Sequence, residues 1–335
     1  MKKITITDIA ARAGVSIATV SRVMNDQDNV SLKTKTHVIE TMAAMNLEIP
    51  EKIKSGLPLK LGMVVSGYDS ASPESSFFYE VVSGAGFEAD RRHATFSFTP
   101  ILGGSPFESE LLKRGDLDGL IVAGVPIPDN VIRKISAYPF PTVFIGRYLE
   151  YEERLNYVTP DNVGGGRIAA KYLYESGHRE ICILNGSESL NVFRDRILGV
   201  QEILSQRLEI SIMTQNSFNE DAGYAAMAEV LARKKVPTAV LALSDWMAIG
   251  ALRAIRDEGL RVPDDISVMG FSDLPVTGIQ SPPLTTIHIP QRRLGTLAVQ
   301  LLISLIHKNL LGPVGMVIPL ELVVRGSTKP LGARA

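Results

Sequence analysis

The apolar positions of this chain change their spacing near residue 59, and that change divides it in two. Up to about residue 48 they recur at helical intervals between short cap and turn signals, which predicts three short helices packed as one small unit. From Leu59 onward, short β-rich apolar runs alternate with amphipathic stretches. Runs at 59–65, 120–123, 142–145, 181–184, 239–243 and 266–269 predict strands, and helices are predicted over 77–92, 164–176, 194–206, 221–235, 245–258 and 292–307. Such alternation is the mark of parallel sheets covered by helices, and roughly six units exceed one small doubly wound sheet, so two lobes are predicted. Between the two parts, 49–59 carries Pro50, Gly56 and Pro58 with little apolar content and reads as a linker.

Within the head, Thr5 stands three residues before Asp8, the spacing of a capping box. Gly14-Val15-Ser16 follows the first helix: glycine ends it at positive φ, valine can plug the core and Ser16 can cap the next helix. That second helix, 17–25, buries Val20 and Val23 against Ile9 and Ala10 and leaves Ile17, Ala18, Ser21, Arg22 and Asn25 on its other face. Ser31 can cap a third helix whose buried stripe is Val38, Met42 and Met45. The helix-turn-helix motif is placed at 6–25. A second helix entering a DNA major groove would offer the methyl groups of Ile17 and Ala18 to base edges and Arg22 to a guanine. Thr5, Ser16, Thr19, Asn25, Ser31 and Thr34 suit phosphate oxygens, with Ser21 and Asn29 completing the DNA-facing set. An ordinary three-helix subdomain would use the same cap and core residues, and spacing by itself does not separate the two readings.

Composition narrows the choice. A chain of 335 residues has room for two or three domains, and 45% hydrophobic with 21% charged residues is an ordinary globular mixture. The net charge of -1 gives no bulk sign of nucleic acid, so a DNA-binding reading rests on local residues. To Leu47, Lys2, Lys3, Arg12, Arg22, Lys33 and Lys35 stand against Asp8, Asp26, Asp28 and Glu40, a modest excess of two positive charges. The single cysteine, Cys182, lies in the apolar run 181–184, where a buried thiol is expected, and one cysteine makes no internal disulfide. With no apolar signal segment and no run near the ~20 residues of a membrane span, the expected place is the cytoplasm. The five histidines are scattered, and no Gly-x-Ser-x-Gly elbow, phosphate loop or His-Glu-x-x-His is present, so neither an enzyme nor a cofactor or metal is expected.

The stretch 4–25, ITITDIAARAGVSIATVSRVMN, followed by Val30-Ser-Leu-Lys-Thr, resembles the head of the lactose-repressor/galactose-repressor (LacI/GalR) family of bacterial regulators. The likeness continues through Asp118-Gly-Leu-Ile-Val, 141–147, 164–178, 237–256, 262–271, 281–287 and Glu321-Leu-Val-Val-Arg-Gly-Ser-Thr. It implies an N-terminal all-α helix-turn-helix head on an α/β two-lobed, periplasmic-binding-protein-like core with two parallel doubly wound sheets. The head would span 1–48 and the hinge 49–59. One lobe would take 60–158 with 290–318, the other 159–289 with 319–329, and 330–335 would be a tail, with crossovers near Val158 and Ile289. Family members place a leucine wedge in the minor groove from a short hinge helix. Leu57 falls at that position, yet Gly56 and Pro58 around it disfavour a helix, so a plain tether, or Ile53 as the wedge, fits as well.

The same resemblance puts a small sugar-like effector between the lobes, controlling operator affinity allosterically. Phe77 and Phe78, after the first strand, and Phe218 would be aromatic walls; Arg194 and Arg196 open a helix in an Arg-x-Arg-x-x-Gly run, Arg196 matching the family's effector arginine. Arg147 would lie at the cleft edge of the other lobe, with Ser66, Asp245 and Gln291 as further contacts; Asp245 could equally cap the helix 246–256. Where sugar-binding members carry Asp or Asn, this chain has Gly146, Ser244 and Ser272. Fewer carboxylates with the arginines kept predicts a more positive cleft and an anionic effector, a sugar acid or sugar phosphate. A homodimer on a partially palindromic double-stranded operator is expected, since no heptad tail for tetramers follows Arg325-Gly-Ser-Thr. The competing reading is a sugar-binding transport-type protein, which shares the core but leaves the head unexplained.

Overall fold

The computed structural model describes residues 4–27, 29–45, 47, 49–50, 58–66, 75–101, 110–113, 115–124, 127–148, 151, 153–205, 208, 210–233, 235–310 and 312–331. Two compact units, Met1–Leu59 and Lys60–Ala335, each carry their own core.

In the first unit α1 (Ile6–Ala13), α2 (Ile17–Met24) and α3 (Leu32–Ala44) bury Ile9, Ala10, Ala13, Val20, Val23, Val38, Ile39 and Met42 together, with Val15 and Met45 packed against them. The capping box forms: Thr5 Oγ1 accepts from the Asp8 N–H while Asp8 Oδ2 accepts from the Thr5 N–H at 2.7 Å. Gly14 ends α1 at φ 64°, a conformation that β-carbon sterics deny most residues, and so permits the sharp turn into α2. Ser16 and Ser31 cap α2 and α3 by accepting from Thr19 N–H at 3.0 Å and Thr34 N–H at 3.2 Å. Helix α2 stops one residue short of the expected 17–25, because Asn25 turns out of helical geometry as its C-cap.

The second unit contains two six-stranded sheets. The first holds β1 (Lys60–Ser66), β2 (Thr95–Ile101), β3 (Gly119–Gly124), β4 (Thr142–Ile145), β5 (Asn156–Pro160) and the late strand β11 (Gly315–Ile318), in the order β11-β5-β4-β3-β1-β2. The second holds β6 (Ile181–Asn185), β7 (Ser211–Thr214), β8 (Ala239–Ala242), β9 (Ser267–Ser272), β10 (Thr285–His288) and β12 (Glu321–Val323), in the order β12-β10-β9-β8-β6-β7. Pairing is parallel throughout except that β12 runs antiparallel to β10, one departure from all-parallel sheets. The helices are α4 (Ser76–Arg91), α5 (Glu110–Lys113), α6 (Asp129–Ser136), α7 (Asn162–Glu175), α8 (Asn191–Leu204), α9 (Glu220–Leu231), α10 (Asp245–Asp257) and α11 (Gln291–Ile306), with a 3-10 turn at Pro275–Ile279. The chain passes between sheets three times: from β5 into α7, from β10 into α11, which packs on α4, and from β11 into β12.

Three helix pairs, α4 with α11, α7 with α8 and α9 with α10, touch through facing glycines. A β-carbon on Gly84 would lie 2.0 Å from the Arg292 carbonyl oxygen and one on Gly295 1.9 Å from that of Val81. Gly166 and Gly199 meet Arg196 and Val163 carbonyls at 2.2 and 2.0 Å, and Gly223 and Gly250 meet those of Met247 and Glu220 at 2.2 and 2.0 Å. Backbone lies against backbone in each pair, a distance that only glycine permits.

Beside the first of these contacts Glu88 is 1% exposed. Arg91 donates to it at 2.8 and 2.9 Å, Arg92 at 2.9 Å, and Gln300 from α11 at 3.0 Å. The Arg91 bonds, with those of Arg92 and Gln300, outweigh burial and hold its carboxyl down at about 2. A carboxyl depressed on folding adds stability above its unfolded value of 4.5 and loses it as pH falls toward 2. Replacing Glu88 by Gln is therefore expected to cost about 2 kcal/mol at neutral pH and almost nothing near pH 2. Denaturant unfolding of both proteins across that range checks this; a penalty independent of pH would refute it.

Candidate functional site

On the head, Val20 and Val23 turn inward, and α2 is left with a face of exposed Ala18, Arg22 and Asn25 beside Ile17, which is 53% exposed. Isoleucine so placed at the first residue of a helix loses apolar burial and suggests a surface that something else covers. Ser16, Ser31 and Asn29 are exposed, and Ser21, Thr19 and Thr34 half-buried, along the rim of the same unit. The Ser16 and Ser31 hydroxyls also bond those of Thr19 and Thr34, both at 2.8 Å, and the Asn25 amide donates to the Ser21 carbonyl. Thr5 is exposed and engaged in its capping box. Leu57 and Ile53 lie outside the described residues.

In the core, the first five strands of each sheet follow the order of a doubly wound fold, β1 of the first sheet and β6 of the second each lying between the next two strands. In such sheets ligands bind beyond the carboxyl ends of the strands, where the winding reverses. At that place in the first sheet Ser66 is half-buried and pairs with Gly124, whose missing side chain lets the backbones approach; a β-carbon there would meet the Ser66 carbonyl oxygen at 2.3 Å. A cavity of about 220 Å³ opens at the carboxyl ends of β3 and β4, bounded by Gly124, Asp129, Ile145–Tyr148 and Tyr151 from one lobe and Ser189–Val192 and Arg194 from the other. Of the predicted residues, Arg147 and Arg194 line it.

Arg147 is not an isolated charge. Its Nη2 donates to both oxygens of Asp195, 3.1 Å each, and its carbonyl accepts from Asn191 Nδ2 at 3.1 Å, so three hydrogen bonds join the lobes at this residue. Arg194 is exposed and donates to Asn191 Oδ1. Arg196 is buried beneath: Nε donates to Asn162 Oδ1 at 2.9 Å, Nη1 to the Leu243 carbonyl at 2.5 Å, and the guanidinium lies 4.0 Å from the centre of the Phe271 ring. Burial lowers it to about 9, with Asp245 and Asp195 opposing.

Asp245 does not cap α10. Ser244 holds the N-cap place without a side-chain bond to the helix end, while Asp245, in the first turn, faces inward and is fully buried. Its Oδ1 accepts from Thr286 at 2.7 Å and its Oδ2 from the Leu274 N–H at 2.9 Å. These distant partners outcompete the local helix end. Burial raises this carboxyl to about 6 despite them. Ser244 Oγ donates to the Phe218 carbonyl at 3.1 Å, and the Phe218 ring sits 5.5 Å from that of Phe193. Ser272 has φ 137° and the next residue, Asp273, φ 58°, two consecutive strained positions. Gln291 Nε2 holds the Ser272 carbonyl at 2.7 Å, and Asp273 takes Arg325 at 2.7 Å and His288 at 2.9 Å. Phe77 and Phe78 occupy the first turn of α4, half-buried and edge-on to each other with centroids 5.3 Å apart. Sequence reasoning missed Asp195, Asn191, Tyr148 and Tyr151; an acid between two arginines in Arg194-Asp195-Arg196 was the one available signal.

Residues 5–48 match the bacterial regulatory proteins of the lacI family, and residues 170–328 match the periplasmic binding protein-like domain. Over 335 aligned residues, 96% of this chain and 98% of the relative, it is 32% identical to the HTH-type transcriptional regulator CelR of Thermobifida fusca. The chain belongs to the lacI family. Another member, the HTH-type transcriptional repressor PurR of Histophilus somni, is 30% identical over 98% of this chain and 99% of its own. Among solved lacI-family structures, a CelR–cellobiose complex superposes with a TM-score of 0.71 at 30% identity, over 97% of this chain and 100% of that one. The Lac repressor dimer bound to operator and the anti-inducer ONPF reaches 0.75 at 29% identity, covering 98% and 100%. Like its relatives this lacI-family chain is a DNA-binding transcriptional regulator, not an enzyme, which sets aside the transport-protein alternative. Among the described residues no helix is long and apolar enough to cross a membrane.

Proposed function

We propose that this regulator is a cytoplasmic repressor that binds a partially palindromic operator as a homodimer and releases or tightens its hold when an acidic sugar-like effector enters between the lobes. The observation that carries the effector half is the cavity at the carboxyl ends of both sheets, with Arg147 and Arg194 against Asp129 in its wall. The exposed Ile17, Ala18 and Arg22 face carries the DNA half, with Ser16, Thr19, Ser21, Asn25, Asn29, Ser31 and Thr34 on phosphates. The head is 1–48, the linker 49–59, the lobes 60–158 with 290–318 and 159–289 with 319–329. Cellobiose in the CelR complex and the operator under the Lac repressor dimer support the sugar class and the two-fold arrangement.

Fluorescence anisotropy on an operator from the gene's own promoter region, at fixed salt, tests this. Binding is expected at one duplex per two chains with Kd of about 10⁻⁸ M or tighter, and galacturonate or glucose 6-phosphate is expected to shift it while galactose and glucose do not. A response to the neutral sugars alone would overturn the acidic reading.

A further inference from the structure

An asparagine at a helix start ordinarily caps it, accepting from a backbone N–H of the first turn. Asn191 does not. Leu190 holds the N-cap place of α8 without a side-chain bond, and Asn191, one residue on, spends both ends of its amide elsewhere. Its Nδ2 donates across the lobes to the Arg147 carbonyl at 3.1 Å, while its Oδ1 accepts from Nη2 of Arg194, about one turn further along α8. These partners fix which end is which: turned over, the amide would set its NH₂ group against a guanidinium and its oxygen against a carbonyl. All three residues line the cavity. Arg194 is exposed and forms no ion pair among the described residues; its bond to Asn191 uses Nη2 and leaves the donors on Nε and Nη1 for a ligand.

We infer that Asn191 is a positioning residue of the cleft: it holds Arg194 at the cavity wall for an anionic group, and does so only while the lobes stand as they do here, because the other end of the same amide is anchored on the opposite lobe. An exposed arginine samples many rotamers, and an anion that binds it must first still that motion. In this lobe arrangement Asn191 has already done so. When the lobes part, Nδ2 loses the Arg147 carbonyl, the amide is free to turn, and Arg194 turns with it. Anion affinity is thereby a property of one lobe arrangement, and by linkage an anion that takes Arg194 favours that arrangement. No buried charge has to be uncovered for this, since the anion meets donors that Asn191 leaves open. A neutral sugar gains less from the guanidinium and so depends less on how it is held. The inference rests on the acidic-effector reading for the identity of its ligand; inorganic phosphate tests it without that reading.

Phosphate, titrated into full-length protein and followed by thermal melting, is expected to stabilise wild type. Asn191→Ala is expected to bind it about tenfold more weakly, the worth of one hydrogen bond to a charged group, and Arg194→Gln at least as weakly. The double variant N191A/R194Q is expected to bind no more weakly than R194Q, because Asn191 acts through Arg194. Asn191→Gln, which keeps both ends of the amide on a longer arm, is expected to recover part of the loss. Asn191→Leu, close to asparagine in volume, repeats the titration should the alanine variant melt early. At saturating phosphate, hydrogen exchange of the backbone around Arg147 is expected to slow in wild type and not in N191A, since the anion reaches the other lobe through this amide. No phosphate binding by wild type, binding that N191A leaves intact, additive losses in the double variant, or equal slowing of exchange in both proteins overturns the inference. In a second arm, galacturonate and glucose 6-phosphate are expected to bind N191A about tenfold more weakly than wild type, with galactose and glucose unchanged; equal losses for acidic and neutral sugars would also overturn it. A phosphate affinity that depends on Asn191 and Arg194, together with no response of wild type to any acidic sugar, upholds the positioning role and refutes the acidic-sugar reading alone.

Discussion

Replacing Gly199 with alanine is expected to destabilise the full-length protein by about 3 kcal/mol, lowering its melting temperature by roughly 6–10 °C. The added β-carbon would lie 2.0 Å from the Val163 carbonyl oxygen and 2.9 Å from the Arg167 nitrogen, both backbone atoms of α7. No rotamer change relieves a clash with backbone, so α8 must move away from α7 and lose packing along the contact. Because α8 also carries Arg194, Asp195 and Arg196, the same change is expected to weaken ligand binding. Gly86→Ala provides the contrast within one unit: half-buried on α4, its β-carbon would meet only Phe96 ring atoms of β2 at 3.6 and 3.8 Å, an ordinary contact. There alanine's helix preference is expected to leave stability unchanged or raise it by up to about 1 kcal/mol. Calorimetry on both variants decides the matter; similar melting temperatures for the two would show that the helices are not in backbone contact.

Replacing Arg22 with alanine is expected to weaken operator binding about 10- to 100-fold while changing affinity for scrambled DNA far less. Arg22 is exposed on the face of α2 that also presents Ile17 and Ala18, and its forked donors suit the two acceptors of a guanine edge. Asn29→Ala, at an exposed position on the rim, is expected instead to weaken operator and scrambled duplex by similar factors, since phosphate contacts carry no sequence information. Anisotropy titrations of both variants on both duplexes separate the roles. Equal losses on operator and scrambled DNA for Arg22→Ala would assign it to the backbone rather than to a base.

The head was legible because its determinants are local: the Thr5 capping box, the Gly14 turn and the Ser16 and Ser31 caps act within three or four residues of themselves. The most apolar interior strands were legible too, since β3, β6 and β8 are buried at every position and read as unbroken apolar runs. The edge strands β2, β7, β11 and β12 were not, because most of their residues are half-buried or exposed and their apolar signal is diluted. The eight-residue α6 was also missed, being too short to establish a period, and so were the inner strands β5 and β10, whose sequences Asn-Tyr-Val-Thr-Pro and Thr-Thr-Ile-His carry few aliphatic residues. The cleft was partly legible. Arg147 and Arg194 do share a cavity wall, but no spacing rule links Arg147 to an acid 48 residues later in the other lobe. For the same reason the expected excess of positive charge did not anticipate that Arg147 carries its own partner. Asp245 read equally as an effector contact and as a cap, because it precedes an apolar helix; its partners in the fold, Leu274 and Thr286, are 29 and 41 residues away.

The threefold passage of the chain between the sheets sets what the core can do mechanically. One connecting strand acts as a swivel and leaves the lobes free to tumble. Two define an axis, and a third set apart from it removes sideways slip and leaves mainly a restrained rotation. Such a joint has few soft directions, so a push anywhere in the cleft is channelled into the same motion. It also means that neither lobe exists as a single stretch of chain: a cut at any one passage leaves two others in place, and a nicked core is expected to stay assembled and to keep answering its ligand.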